Sequence, residues 1–98
     1  MPAYVVAMMD ITDPERYQSY LPGAGAAIQA HGGEVLAADR STEVLEGPAP
    51  AVTVIIRFPD KATAEAWYRS EDYQAVIHLR HESSDGHMII ADGSAPPT

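Results

Sequence analysis

The sequence predicts an α+β fold: a ferredoxin-like βαββαβ chain whose four-stranded antiparallel sheet carries two helices on one face. Three observations support this. Four short stretches, 3–9, 34–38, 51–58 and 87–91, are largely apolar, 51–58 being the richest in β-branched residues, and none reaches the length of a buried helix. Two stretches with apolar residues at helical spacing fall between the first and second strands and between the third and fourth. In the strands both alternating sets of side chains are largely apolar, so each face of the sheet needs cover. At 98 residues the chain has room for one domain, placed at 1–93, with a small, Pro-rich and flexible tail at 94–98.

The first strand, 3–9 (AYVVAMM), reads as buried on both faces. Asp13 then caps a helix with Pro14 at its first position, where a missing N–H costs nothing; Thr12 and Glu15 fit a capping box one residue earlier. Tyr17, Tyr20, Leu21, Ala24, Ala27, Ile28 and His31 share one face of that helix. Pro22-Gly23 should kink or break it, and Gly32-Gly33 should end it with one glycine in the left-handed cap conformation. The second strand, 34–38, is expected to be interrupted at 39–42 and to resume at 43–46. Gly47-Pro48-Ala49-Pro50 is a loop, and 51–58 is the strand richest in β-branched residues. Asp60 and Ser70 are two further caps, giving helical pieces 61–69 and 71–82. Ser83-Ser84-Asp85-Gly86 reads as a turn before the last strand, 87–91. Each helical crossover is expected to be right-handed and to join parallel neighbours.

Helices on one face leave the other bare. That face would carry Tyr4, Val6 and Met8, Thr53, Ile55 and Arg57, and His87, Ile89 and Ala91. A contiguous apolar patch of this kind is unusual on a soluble monomer, so a two-fold homodimer with the sheets face to face is expected. The formal net charge of −8, with Lys61 the only lysine and five scattered arginines, disfavours nucleic acid and anionic membrane surfaces as partners. There is no cysteine, which excludes disulfides, thiolate metal sites and cysteine nucleophiles. No apolar run approaches a membrane span and no signal peptide is evident, so the expected compartment is the cytoplasm.

A set of short motifs extends these readings. Thr12-Asp13-Pro14 with Tyr17 and Tyr20 is followed by His31-Gly32-Gly33, Glu43-Val44-Leu45-Glu46-Gly47, and Phe58-Pro59 with Ala66-Trp67-Tyr68; then come Ser70 with Tyr73-Gln74, Arg80, and Ser84-Asp85-Gly86. Together they resemble the small DUF1330 proteins (domain of unknown function) of the dimeric α/β-barrel superfamily, over nearly the whole chain. The resemblance implies the dimeric ferredoxin-like fold. Superfamily relatives include cofactor-independent monooxygenases, isomerases, haem-binding enzymes and stress-response proteins, and fold analogy alone does not choose among them.

The candidate chemistry is that of a small-molecule site needing no cofactor. His31 is either a general base pointing between helix and sheet or a helix-end histidine bonding the last carbonyls. Tyr17, Tyr20, Trp67 and Tyr73 either line an aromatic pocket or pack the core. Arg57, in an otherwise apolar strand, and Arg80, on the face of Tyr73, could each hold a ligand oxyanion, or else form structural ion pairs. His78, His81 and Glu82 do not make a convincing metal site, and no metal is called for. The expected function is therefore a homodimer binding a small aromatic or acidic molecule, with cofactor-independent oxygenation, isomerisation or cyclisation as its chemistry. A non-catalytic, ligand-binding or stress-related dimer is the alternative. A cavity of roughly 300 Å³ or more with His31 on its wall would favour binding or catalysis, and a packed interior a structural role.

Overall fold

The computed structural model describes residues 1–94. Its elements are β1 (Ala3–Ile11), α1 (Pro14–Ala30), β2 (Glu34–Asp39), β3 (Val52–Phe58), α2 (Lys61–Arg69), α3 (Glu71–Gln74), α4 (Ile77–Ser83) and β4 (Ser84–Asp92). The sheet order is β2-β3-β1-β4, and every adjacent pair is antiparallel. This is the expected ferredoxin-like α+β fold. The crossovers do not join neighbours, however. β3 lies between β1 and β2, and β1 lies between β3 and β4, so each parallel pair is separated by one strand.

Local signals set the helix ends. The Asp13 carboxylate accepts from the Arg16 N–H at 3.2 Å, and Asp60 accepts from the Thr63 N–H at 2.7 Å. At the end of α1 the Gly33 N–H donates to the Ile28 carbonyl at 2.8 Å, and the Gly32 N–H to the Gln29 carbonyl at 3.1 Å. This pair of bonds is a Schellman cap, made possible by a φ of 78° at Gly32.

Several expectations are corrected. α1 runs unbroken through Pro22. Proline frees the carbonyl four residues earlier, on Gln18, and both residues are exposed, so water can satisfy it. Gly23 serves a close approach: a Cβ there would meet the Val76 side chain at 2.6 Å. β2 does not resume at 43–46; its irregularity is a bulge at Leu36, between Val35 and Ala37, and Val44 and Leu45 lie exposed in a loop. The second helical piece divides at Ala75-Val76 into α3 and α4. Residues 84–86 form no turn, since β4 starts directly after α4 and pairs along the whole of β1, Ser84 opposite Ile11. Of the expected tail, 95–98 lies outside the described residues.

The core lies between the sheet and the helices. Ala3, Val5, Ala7 and Met9 of β1 and Val52, Ile56 and Phe58 of β3 are buried on this side, with Tyr17, Tyr20, Ala24 and Ile28 from α1 and Trp67 and Tyr73 from α2 and α3. α2 sits directly on β1, β3 and β4, whereas α1 packs chiefly on α3 and α4 and stands off the strands beneath it.

Among the described residues no helix packs on the opposite face. There the register aligns Ala37, Ile55, Val6 and Ile89 in one apolar row across all four strands. Glu34, Arg57, Tyr4 and Ala91 form the row on one side, and Asp39, Thr53, Met8 and His87 the row on the other. Ile89 leaves 53% of its surface exposed.

Candidate functional site

Because α1 stands off the sheet, a cavity of about 240 Å³ opens between it and the β2–β3 half. α1 contributes Tyr17, Tyr20, Ala24 and Ile28; the strands contribute Ala7 and Met9, Val35 and Ala38, Val54 and Ile56, and Met88. All of these but the two phenol groups are apolar. Two arginines complete the wall: Arg40, just after β2, and Arg80, from α4.

Arg80 is buried, with 7% of its surface exposed. A guanidinium stays protonated at any ordinary pH, so a full positive charge is held here. No acidic side chain among the described residues pairs with it. Its Nη2 donates to Nε2 of His81 at 3.2 Å, and its Nε is a buried donor without a partner. A guanidinium only donates, so the His81 nitrogen is the acceptor at that contact. The carbonyl of Arg80 accepts from the Ser84 hydroxyl at 2.7 Å, which fixes the residue at the α4–β4 junction. A buried, unpaired charge costs several kcal/mol unless something offsets it, and no acidic side chain among the described residues does so here.

Arg40 lies over the Tyr17 ring, its guanidinium carbon 5.5 Å from the ring centroid, a cation–π contact at the cavity wall. Burial pushes the Tyr17 hydroxyl above its ordinary pKa of 10.0, while the charges of Arg40 and Arg80 pull it back down. Burial raises Tyr20 much further; the adjacent Tyr73 adds to the rise, and Arg80 opposes it. Both phenols therefore remain protonated donors at neutral pH. The Tyr20 and Tyr73 hydroxyls are 2.7 Å apart.

The residues singled out by the sequence separate into four places. Tyr17, Tyr20 and Arg80 share the cavity. Trp67 and Tyr73, both fully buried, stack at 4.3 Å between ring centroids outside the cavity wall, with Phe58 5.3 Å from Trp67; the Trp67 Nε1 is a buried donor without a partner. Arg57 is exposed on the opposite face of the sheet, between Glu34 and Tyr4 in register. His31 does not point between helix and sheet. It is the C-cap of α1, its N–H shared among the last carbonyls, and its Nε2 lies 3.2 Å from a carboxylate oxygen of Asp72 on α3. The ring is turned toward α3 and its Asp72 carboxylate, away from the sheet. The cavity is thus smaller than the size expected for binding or catalysis, and His31 is not on its wall. Among the described residues no three His, Asp or Glu side chains gather as metal ligands would, and no helix is long and apolar enough to cross a membrane.

Arg40 was missed by the sequence reading. It fell in a stretch read as an interruption of β2, and only the register of β2 on β3 brings it beside Tyr17.

A family model described as "Domain of unknown function (DUF1330)" matches residues 2–94. No curated protein matches the chain. Among solved structures, a protein of unknown function from Rhodopseudomonas palustris superposes with a TM-score of 0.78 at 18% identity, covering 97% of this chain and 84% of that one. SnoaB, a cofactor-independent oxygenase from Streptomyces nogalater, gives 0.66 at 11% identity over 97% and 95% of the two chains. A structure described as an antibiotic biosynthesis monooxygenase gives 0.55 at 20% identity over 97% and 100%. These likenesses show a shared fold.

Proposed function

The chain belongs to the DUF1330 family, and from that premise we propose that it is a small cytoplasmic homodimer whose cavity binds a compact organic anion with an apolar, aromatic body. The observation that carries this reading is Arg80, buried and without an acidic partner on the wall of an otherwise apolar cavity. An anion entering there offsets an existing charge instead of introducing a new one. The volume of about 240 Å³ lies below the roughly 300–1,000 Å³ of sites for drug-sized ligands, so it suits one ring or a short chain. Support for the dimer comes from the apolar row Ala37, Ile55, Val6 and Ile89, which helices leave uncovered and a second copy would bury.

Cofactor-independent oxygenation or isomerisation is the second reading. The fold it shares with SnoaB supports it, as does a cationic wall that would stabilise an electron-rich enolate or phenolate. Binding is the better supported of the two, because His31, the intended proton acceptor, bonds Asp72 away from the cavity.

Thermal unfolding with benzoate and with its neutral isostere benzamide tests the proposal. A ligand that binds only the folded state raises the midpoint. Benzoate is expected to raise it and benzamide to leave it unchanged, with the difference lost in Arg80→Gln. Equal responses to both compounds, or none to either, would overturn the reading.

A further inference from the structure

We propose that the Tyr20 hydroxyl is a second, pre-aimed donor to the ligand's anionic oxygen, held in place by Tyr73, so that Tyr20 and Arg80 together form an oxyanion subsite. The inference rests on the anion reading above and adds to it the atom that orients the ligand.

The hydroxyls of Tyr20 and Tyr73 have no other side-chain or backbone partner among the described residues. Two hydroxyls carry two protons but share one hydrogen bond, so one proton is left for something else. Tyr73 is fully buried and forms no part of the cavity wall, whereas Tyr20 does. If Tyr20 donated to Tyr73, the Tyr73 proton would remain inside the core with no acceptor, which is the costlier arrangement. The favoured arrangement has Tyr73 donating to the Tyr20 oxygen. This leaves the Tyr20 proton for an acceptor in the cavity.

Packing holds Tyr73 in turn. Its ring stacks on Trp67 at 4.3 Å, and its backbone N–H donates to the Ser70 hydroxyl at 3.3 Å. The Tyr20 ring meets the Tyr73 ring edge-on at 6.2 Å. The donor is therefore fixed before any ligand arrives, the condition under which a hydrogen bond to developing or buried charge is strongest. Arg80 and Tyr20 line the same cavity, and the charge of Arg80 favours the ionised form of the Tyr20 hydroxyl. The chemistry recognised is an oxyanion on an apolar body. A carboxylate and an ionised hydroxy-arene both present one, and the test includes both.

para-Nitrophenol reports its own ionisation by colour, and benzoate supplies the carboxylate arm. In the wild-type protein bound nitrophenol should ionise at lower pH than in water, because the two donors and Arg40 favour its anion. Tyr20→Phe should weaken nitrophenolate binding about tenfold or more, and raise the bound phenol's ionisation midpoint by about one pH unit. Tyr73→Phe keeps the Tyr20 hydroxyl but frees it to turn, so it should move the same midpoint by a smaller amount. A role in packing alone would leave that midpoint unshifted in either variant. Equal losses of benzoate and nitrophenolate in Tyr20→Phe support a general oxyanion subsite, and a loss confined to one of them assigns the subsite to that anion. If Arg80→Gln abolished binding while Tyr20→Phe left affinity and midpoint unchanged, the subsite would be wrong and the anion reading would stand. If the wild-type protein bound neither probe, both would fall.

Discussion

The hydroxyl oxygens of Tyr20 and Tyr73 lie 2.7 Å apart in the interior, although 53 residues separate them in the chain. Each is the other's only hydrogen-bond partner among the described residues, so the pair also ties α1 to α3. Tyr20→Phe or Tyr73→Phe alone strands one buried hydroxyl and should cost about 1–3 kcal/mol. The double Phe variant strands none. Its loss should fall short of the sum of the single losses by about 1 kcal/mol or more, as a coupled pair requires. Urea unfolding of the four proteins at one concentration measures this; additive losses would show that the bond contributes nothing to stability.

Two glycines make opposite predictions. A Cβ on Gly33 would stand 2.7 Å from Ile28 Cγ2 and 2.8 Å from the fully buried Phe58 ring. The ring cannot retreat within a packed core, so Gly33→Ala should destabilise by about 1–3 kcal/mol. Gly25 lies inside α1, and a Cβ there meets nothing within 4 Å. Gly25→Ala should stabilise by about 0.5–1 kcal/mol, the helical preference of alanine over glycine. The same urea series reads both signs.

These contrasts show what the sequence made legible. Features set by a few adjacent residues were readable: the caps at Asp13, Asp60 and Ser70, the Gly32-Gly33 stop, and the buried face from Tyr17 to Ile28. Features set by a distant partner were not. Gly86 looks like a turn residue, yet it is a strand residue whose missing Cβ lets β4 approach the Met8 carbonyl and Met9. The apolar pair Val44-Leu45 between Glu43 and Glu46 reads as the strand resuming, but no neighbour pairs with it, and Leu45 remains 87% exposed. The candidate site follows the same division. Tyr17 and Tyr20 were found by spacing, whereas Arg40 joins them through strand register and His31 is drawn away by Asp72 on a distant helix.

Acid should weaken the fold at two helix starts. The Thr63 hydroxyl and N–H hold the Asp60 carboxyl below its ordinary value of 3.8, and the Ser70 hydroxyl and the His31 ring do the same for Asp72. With folded-state values lowered, the unfolded chain binds more protons than the native protein near and just below pH 4. Stability from these groups is then complete above that range and disappears as pH falls through the lowered native values. Asn caps a helix as well as Asp does but has no proton to bind. Asp60→Asn should therefore leave the thermal midpoint near that of the wild type at neutral pH and reduce its fall on acidification. An unchanged acid slope in this variant would show that the Asp60 carboxylate does not contribute to acid sensitivity.

The uncovered face of the sheet makes the prediction with the widest consequence. Val6 sits between Ile55 and Ile89 in register, and Ile89 keeps 53% of its surface open. Covering that half of an isoleucine is worth on the order of 1 kcal/mol per copy, and the rest of the row adds to it. The wild-type protein should therefore sediment at twice its single-chain mass of 10.5 kDa at micromolar concentration. In Ile89→Lys the ammonium reaches water in a lone chain, so the fold should change little. In a face-to-face pair the same lysine is pressed against an apolar sheet, with its symmetry mate on the same surface. Ile89→Lys should thus sediment at the single-chain mass while its circular dichroism matches that of the wild type. A wild-type protein that sediments as one chain would refute the homodimer. A variant that still sediments as two would move the interface to another surface.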